Sequence, residues 1–483
     1  MKCSATAGGI SGALVDFGLS RLSLIHIHHA PHPAVLALSG SIARYLLYAV
    51  DFPDPNTVVA GNSEPRLAGA DATIIQWATD MMIYGPWSVT NKPVVAPSGD
   101  KHDYMSWAPY EWPDCSNAKN TTELSPPDMW KTCNYVFRDG QVNPDRSTIK
   151  DSQSFSNLSD AVLYNSIAAT LQNKSSSIYS QNVVNIVKAW FLDGDTGMNP
   201  NLNYAQMNRG PNGQHGEYTG ILDLRGFAKI ASGILLLRKN KNTDWTADLD
   251  QQMVAWCTKY IAWLQTSPTG KQAASSNNNH GTIFVNQMAA LQLIVGDVAS
   301  AVNLTQAYFK GIYQGQVQAN GDQPMEASRS RPYHYRNFNI AGMITNARIL
   351  KYADPTSTPW NMTANGATIK TAVDFLMTTD PAAKDEQDIV AEIYPNIAAV
   401  ASAYGDADGK YGAFLNASGF PYADDATFLW DQPLAGGNQT SAATPAPSSS
   451  KKGGAPASRV GMLAWIGLCS SASLYVASGV IAW

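Results

Sequence analysis

From about residue 60 to residue 435, apolar side chains return at three- and four-residue steps in segment after segment. Val183, Ile186, Val187 and Trp190 form one such stripe, and Phe227, Ile230, Ile234 and Leu237 another. Leu249, Met253, Trp256, Tyr260 and Leu264 follow, then Phe284, Met288, Leu291, Leu293 and Ile294. Ile340, Met343, Ile344 and Ala347 continue the series, as do Ile389, Ile393, Ile397 and Val400. This period puts each set on one face of an α-helix, while strand-like alternation is scarce. No internal repeat of solenoid length accompanies it. The expectation is an all-α chain: an (α/α)n toroid, an incomplete helical barrel whose connecting loops are long and rich in Gly, Asn, Pro and Tyr. In such an architecture loops and helix ends line the cleft, so the loops are where chemistry is sought.

Composition narrows the function classes. Hydrophobic residues make up 45% and charged residues 15%, which excludes a disordered chain. With 33 Lys+Arg against 38 Asp+Glu and no long basic run, a nucleic-acid partner is not expected. Low charge with 13 Trp and 21 Tyr suits a secreted protein that handles sugars.

Cys115 and Cys133 enclose 17 residues rich in Asn, Thr, Ser and Pro and are expected to form a disulfide. Cys257 lies in a helical stripe and reads as a buried thiol; Cys3 and Cys469 fall in segments expected to be removed. Asn-x-Ser/Thr sequons stand at Asn120, Asn157, Asn173, Asn303, Asn361, Asn416 and Asn438, pointing to a glycosylated protein of the secretory pathway. Residues 436–459 form a Ser/Gly/Pro/Ala linker, and 460–483 an uncharged hydrophobic tail. Small residues at 448–450, a polar spacer and a terminal apolar run fit a GPI-attachment signal. A membrane-anchoring helix is the alternative. Residues 1–60 read as a leader with a poorly formed signal, leaving 61–435 as the toroid domain. The expected location is extracellular or cell-surface, with the tail or a GPI anchor at the membrane, and the expected state a monomer.

Four of the eight histidines (His26, His28, His29 and His32) crowd the leader and are not read as a metal site. The other four sit in four polar motifs. Residues 98–114 carry Lys101, His102, Tyr104, Trp107, Tyr110 and Trp112. Residues 198–227 carry Asn201, Asn203, Tyr204, Arg209, His215 and Arg225. The run SSNNNHGTIF brings Asn278, Asn279 and His280 just ahead of a helix, and EASRSRPYHYRNFN brings Arg329, Arg331, His334 and Tyr335 ahead of another. Plainer readings stand beside these: Asn is favoured at helix N-caps, Arg331 can pair with Glu326, Arg225 and His334 can be structural, and the aromatics of the first motif can be packing. DADGKYG, from Asp406, opens like a calcium loop but has Ala417 at position twelve, so it is not an EF-hand. There is no phosphate loop or GxSxG elbow.

The Asn-Asn-His triplet, the Arg-x-Arg-x-x-His-Tyr stretch, and GDKHDYMS and MNPNLNYAQ in the same order resemble the alginate-lyase-domain polysaccharide lyases of the family 5 and family 38 type, from about Pro86 to about residue 405. That family consists of helical toroids. The resemblance implies β-elimination of a 1,4-linked uronan, with Tyr335 as acid and base where the family motif has it. His280 is then an orienting partner or alternative base. Removing the C5 proton requires the adjacent carboxylate to be neutralised, a role for Asn279 with Arg329 or His280. Nearby Arg329, Arg331 and Arg336 are expected to lower the tyrosine pKa. Stacking on sugar rings falls to Tyr104, Trp107 and Tyr204, and flanking carboxylates to Lys101, His102, Arg209 and Arg225. Asn203, His215, Arg331 and His334 complete the expected substrate-binding set. No cofactor or metal is required.

Mannuronate and glucuronate share their C4 and C5 configurations, whereas guluronate is inverted at C5. Syn elimination by one Tyr/His arrangement therefore favours poly-mannuronate or β-1,4-glucuronan. A non-catalytic wall-binding protein is one rival. A glycoside hydrolase is the other, but it needs two facing carboxylates about 5–9.5 Å apart, and Asp103, Glu217, Asp223 and Glu326 form no evident pair.

Overall fold

The computed structural model describes residues 51–61, 67–118, 124–420 and 424–431. The linker, the hydrophobic tail, the histidine-rich leader, Cys3, Cys469, Asn120 and Asn438 lie outside the described residues.

Helices of nine residues or more are labelled in chain order. The first four are α1 (Ala68–Met81), α2 (Asp151–Leu171), α3 (Ile178–Val187) and α4 (Phe227–Lys239). Next come α5 (Ala247–Thr266), α6 (Asn279–Ile294) and α7 (Val298–Lys310). The last are α8 (Pro332–Ala353), α9 (Ile369–Met377) and α10 (Ile393–Tyr404). Packing runs α1 on α2, α2 on α4, α4 on α6, α6 on α8 and α8 on α10, so that these form an inner row. Helices α3, α5, α7 and α9 lean on that row from outside. This is the helical toroid expected from the periodicity.

Burial follows the two layers. All 16 residues of α6 are buried, as they must be in a helix with neighbours on every side. Outer helix α5 buries a single stripe: Leu249, Met253, Trp256, Cys257, Tyr260 and Leu264. Burial holds the Cys257 thiol far above its ordinary pKa, so it is packing material. Among the described residues no helix is long and apolar enough to cross a membrane.

The first two motifs are not plain loops. β1 (Met105–Trp107) and β4 (Tyr204–Met207) pair in parallel and so bring the first and second motifs together. β2 (Glu111–Asp114) and β3 (Asn134–Phe137) form an antiparallel hairpin with Asp114 opposite Asn134. The Cys115–Cys133 disulfide, expected from the sequence, closes that hairpin one residue further out.

The packed domain is wider than the expected 61–435 at its start. Phe52 is fully buried and Val58 nearly so, which moves these residues from leader to core. Arg348 on α8 ion-pairs with both Asp51 and Asp431, and the Trp430 indole N–H donates to Asp51 at 2.9 Å. Burial, only partly offset by Arg348, pushes the Asp431 carboxyl up to about 7. The Asp406 loop serves as a helix cap: its carboxylate accepts the backbone N–H groups of Tyr411 and Gly412.

Candidate active site

The N-termini of α6 and α8 open onto one cleft of about 450 Å³, whose lining includes Asn278, Asn279, His280, Arg329, His334 and Tyr335. The third and fourth motifs therefore meet in space.

At α6 the three asparagines and the histidine have separate tasks. Asn278 is the N-cap, its side-chain oxygen accepting the His280 backbone N–H at 3.2 Å. The same oxygen lies 3.0 Å from His280 Nδ1. Because a backbone N–H can only donate, Asn278 presents oxygen, so Nδ1 carries the ring proton and Nε2 keeps its lone pair. Burial first, then the nearby Arg329 charge, lowers the His280 pKa to about 4, so the ring is neutral at pH 7. Asn279 donates its backbone N–H (2.9 Å) and one amide proton (2.6 Å) to the two oxygens of buried Glu326.

At α8 the capping is remote. Pro332 occupies the first turn and no local side chain caps the helix. Instead Glu386 accepts the backbone N–H groups of Tyr333 (2.9 Å) and His334 (3.1 Å). The ring of His334 is fixed by Glu392, 2.9 Å from Nδ1. Tyr335, one residue on, receives a hydrogen bond from Arg329 Nη2 at 2.8 Å and lies 2.7 Å from the Tyr110 hydroxyl. The Arg329 guanidinium also rides over the Tyr335 ring, 3.8 Å from its centroid.

Asp139 holds Arg329 in that place with a 2.6 Å ion pair and accepts the Ser330 backbone N–H at 2.9 Å. Neighbouring Gly140 has φ +71, and a Cβ there would meet Ser330 Oγ at 2.2 Å. Glycine is what lets the hairpin approach this loop.

Several expectations are corrected by this geometry. Of the three arginines near Tyr335 only Arg329 reaches it; Arg331 pairs with Asp388 at 3.5 Å and approaches Glu386 at 4.0 Å, and Arg336 pairs with Asp322 at 2.8 Å. Arg331 thus lies outside the cleft lining and does not pair with Glu326. Arg329 does lower the Tyr335 pKa, but burial outweighs it, so the free phenol stays protonated well above its ordinary range. Tyr104 and Trp107 are core residues, bonded to Asp223 (3.0 Å) and Thr148 (2.9 Å), with no ring face left for a sugar. Arg209 is buried between the Trp107 and Tyr135 rings and pairs with Asp145 at 3.3 Å.

His102 Nδ1 is taken by the Gly197 carbonyl region at 2.6 Å, and Asn203 receives the Trp263 indole N–H at 2.9 Å. Lys101 is exposed, Tyr204 packs on the small cluster around Trp107, and His215 faces Glu217 at 3.5 Å; none of these lines the cleft. Arg225 does line it, donating to the Leu222 carbonyl at 2.8 Å.

Tyr110, Asp139, Glu386, Glu392 and Arg146 are the residues the motif reading did not assign. Tyr110 was visible in the first motif as one aromatic among several. The others carried no local signal.

A family model described as alginate lyase matches residues 88–388. Among solved structures, the crystal structure of an alginate lyase from Bacteroides ovatus superimposes with a TM-score of 0.66 at 27% identity, covering 80% of this chain and 98% of that one. Alginate lyase A1-III from Sphingomonas species A1 is a more remote match, with 79% of this chain and 95% of that one covered at 13% identity and a TM-score of 0.45. No curated protein gives a significant match.

Proposed function

The chain belongs to the alginate lyase family, and from that premise we propose that this polysaccharide lyase cleaves poly-mannuronate or β-1,4-glucuronan by syn β-elimination. The observation that carries the reading is the presence in one cleft of Tyr335, whose hydroxyl takes the Arg329 hydrogen bond, and His280, whose Nδ1 is held by the Asn278 oxygen so that Nε2 keeps its lone pair.

In this reading His280 Nε2 takes the C5 proton. The electrons of that C–H bond become the C4–C5 double bond, the C4–O4 bond breaks, and the Tyr335 hydroxyl delivers its proton to the departing O4. The phenolate left behind is held by Arg329, which already donates to Tyr335 Oη, and by the Tyr110 hydroxyl 2.7 Å away, which can turn its proton towards it. Asn279, tied to Glu326, keeps one amide proton for the substrate carboxylate. Division of labour replaces a single tyrosine acting twice, because burial keeps that phenol from being a base in the free enzyme.

An extracellular location belongs to the same proposal. It is supported by the Cys115–Cys133 disulfide and by the exposure of sequon residues Asn173, Asn303, Asn361 and Asn416; Asn157 is half-buried. The expected GPI or membrane attachment stays part of the proposal on sequence grounds alone.

The test is ultraviolet absorbance of conjugated products from the full chain on poly-mannuronate, poly-guluronate and glucuronan, with Tyr335→Phe as control. Absorbance is expected to rise on one of the first- or last-named polymers and to fall about 10²–10⁴-fold in the variant, the range for removing a general acid. Cleavage of poly-guluronate alone would overturn the substrate assignment.

A further inference from the structure

The elimination needs a positive charge at the uronate carboxylate, and the expected residues have none to give. Asn279 and His280 are neutral, and the charge of Arg329 is answered by Asp139 at 2.6 Å. Yet another guanidinium faces the same cleft. Arg146, in the short 3-10 turn Pro144–Thr148 packed against β1, lines it together with Tyr110, Asp223 and Arg225. Its Nη1 is buried and has no hydrogen-bond partner, a costly state for a charged donor.

Nearby Asp223 does not relieve it. One oxygen of that carboxylate takes the Gln206 amide at 2.9 Å, and the other takes the hydroxyls of Tyr104 and Ser106. Among the described residues no carboxylate comes within ion-pair distance of Arg146. Asp223 and Tyr110 favour its charged form through space, against the burial that opposes it. The result is a half-buried cation that shares the cleft lining with Tyr110 and Tyr335 and keeps one buried donor unanswered.

We propose that Arg146 is the carboxylate-binding residue of the reaction: its Nη1 takes the carboxylate of the uronate that loses its C5 proton. This rests on the lyase reading above and supplies the charge that reading lacks. An arriving carboxylate answers the unpaired donor, and the guanidinium stabilises the enolate-like charge as the C5 proton leaves. Because the interaction strengthens as charge develops, its loss acts mainly on kcat.

The test compares the full-length wild type with Arg146→Ala and Arg146→Lys on the polymer the wild type cleaves, with added guanidinium ion and thermal melting alongside. Arg146→Ala is expected to lose about 10²-fold or more in kcat, to melt close to the wild type, and to regain activity with guanidinium. Arg146→Lys, which keeps the charge without the fork, is expected to fall between the two. Unchanged kcat in Arg146→Ala, or a loss that guanidinium does not restore while Arg146→Lys is equally impaired, would overturn the assignment and leave the lyase reading intact. A wild type that cleaves no uronan would overturn both.

Discussion

Asp139 and Arg329, 190 residues apart in the chain, form the ion pair that seats a guanidinium against the Tyr335 ring and hydroxyl. Asp139 is not among the cleft-lining residues, and its carboxylate is bonded to Arg329 and to the Ser330 backbone, so it acts through Arg329. Asp139→Asn keeps the shape and removes the charge. The expected outcome is a drop of about 10-fold in kcat, equivalent to ~1.4 kcal/mol at the transition state, with little change in melting temperature because the pair is partly exposed. Steady-state kinetics read the first quantity and a melting curve the second.

The tautomer of His280 depends on Asn278. Asn278→Ala removes both the N-cap of α6 and the acceptor for Nδ1–H, so about 1 kcal/mol of stability and about 10²-fold of activity should be lost. Asn278→Asp keeps both acceptor functions and is expected to restore stability, with activity nearer wild type. Equal activity loss in the two variants would show that the Nδ1 acceptor is irrelevant.

His280 also makes stability depend on pH. Its pKa is about 4 in the folded chain and near 6.5 when unfolded. Between these values the unfolded state binds the proton and the folded state does not, so stability falls as pH drops from about 6.5 to about 4. The contribution over that window is roughly 2–4 kcal/mol. Chemical denaturation of wild type and His280→Gln across pH 4–7 should show the difference between them closing as pH rises. The acid limb of kcat/KM should likewise fall nearer 4 than 6.5.

Replacing Cys115 and Cys133 by serine releases the outer end of the β2–β3 hairpin, whose inner end delivers Tyr110 and Asp139. Loss of a loop of this size costs about 3 kcal/mol in the chain-entropy account. Activity should fall with it even below the melting transition, since Tyr335 loses a well-held neighbour. Activity matching wild type at low temperature would show that the hairpin keeps its place unaided.

The helices were legible because their stripes repeat locally: every residue of the Leu249–Leu264 and Ile340–Ala347 sets is buried as expected. That His280 and Tyr335 line one cleft agrees with what the family resemblance implied for two motifs that each stand at a helix start. What sequence could not show was exposure. Trp107 and Tyr104 look like sugar platforms until β1 is seen sunk against β4. Nor could it show partners brought from afar. Glu386 caps α8 from 52 residues away, and Asp139 reaches Arg329 through a hairpin whose own sequence says nothing of its target. Arg146 sits in a plain PDRST turn and gains meaning only from the donor it leaves unanswered.

Helix α8 carries Tyr335 near one end and Arg348 thirteen positions later, about 20 Å along the axis. Arg348 is the knot at which Asp51 and Asp431, the first and last of the described residues, are tied. A recombinant fragment trimmed inside either aspartate would leave a buried guanidinium with one carboxylate in place of two, on the very helix that presents the acid. Expression boundaries drawn at residue 61 from the apolar stripes alone would therefore remove Asp51 from that ion-pair cluster, and a silent assay on such a fragment would report on the cut.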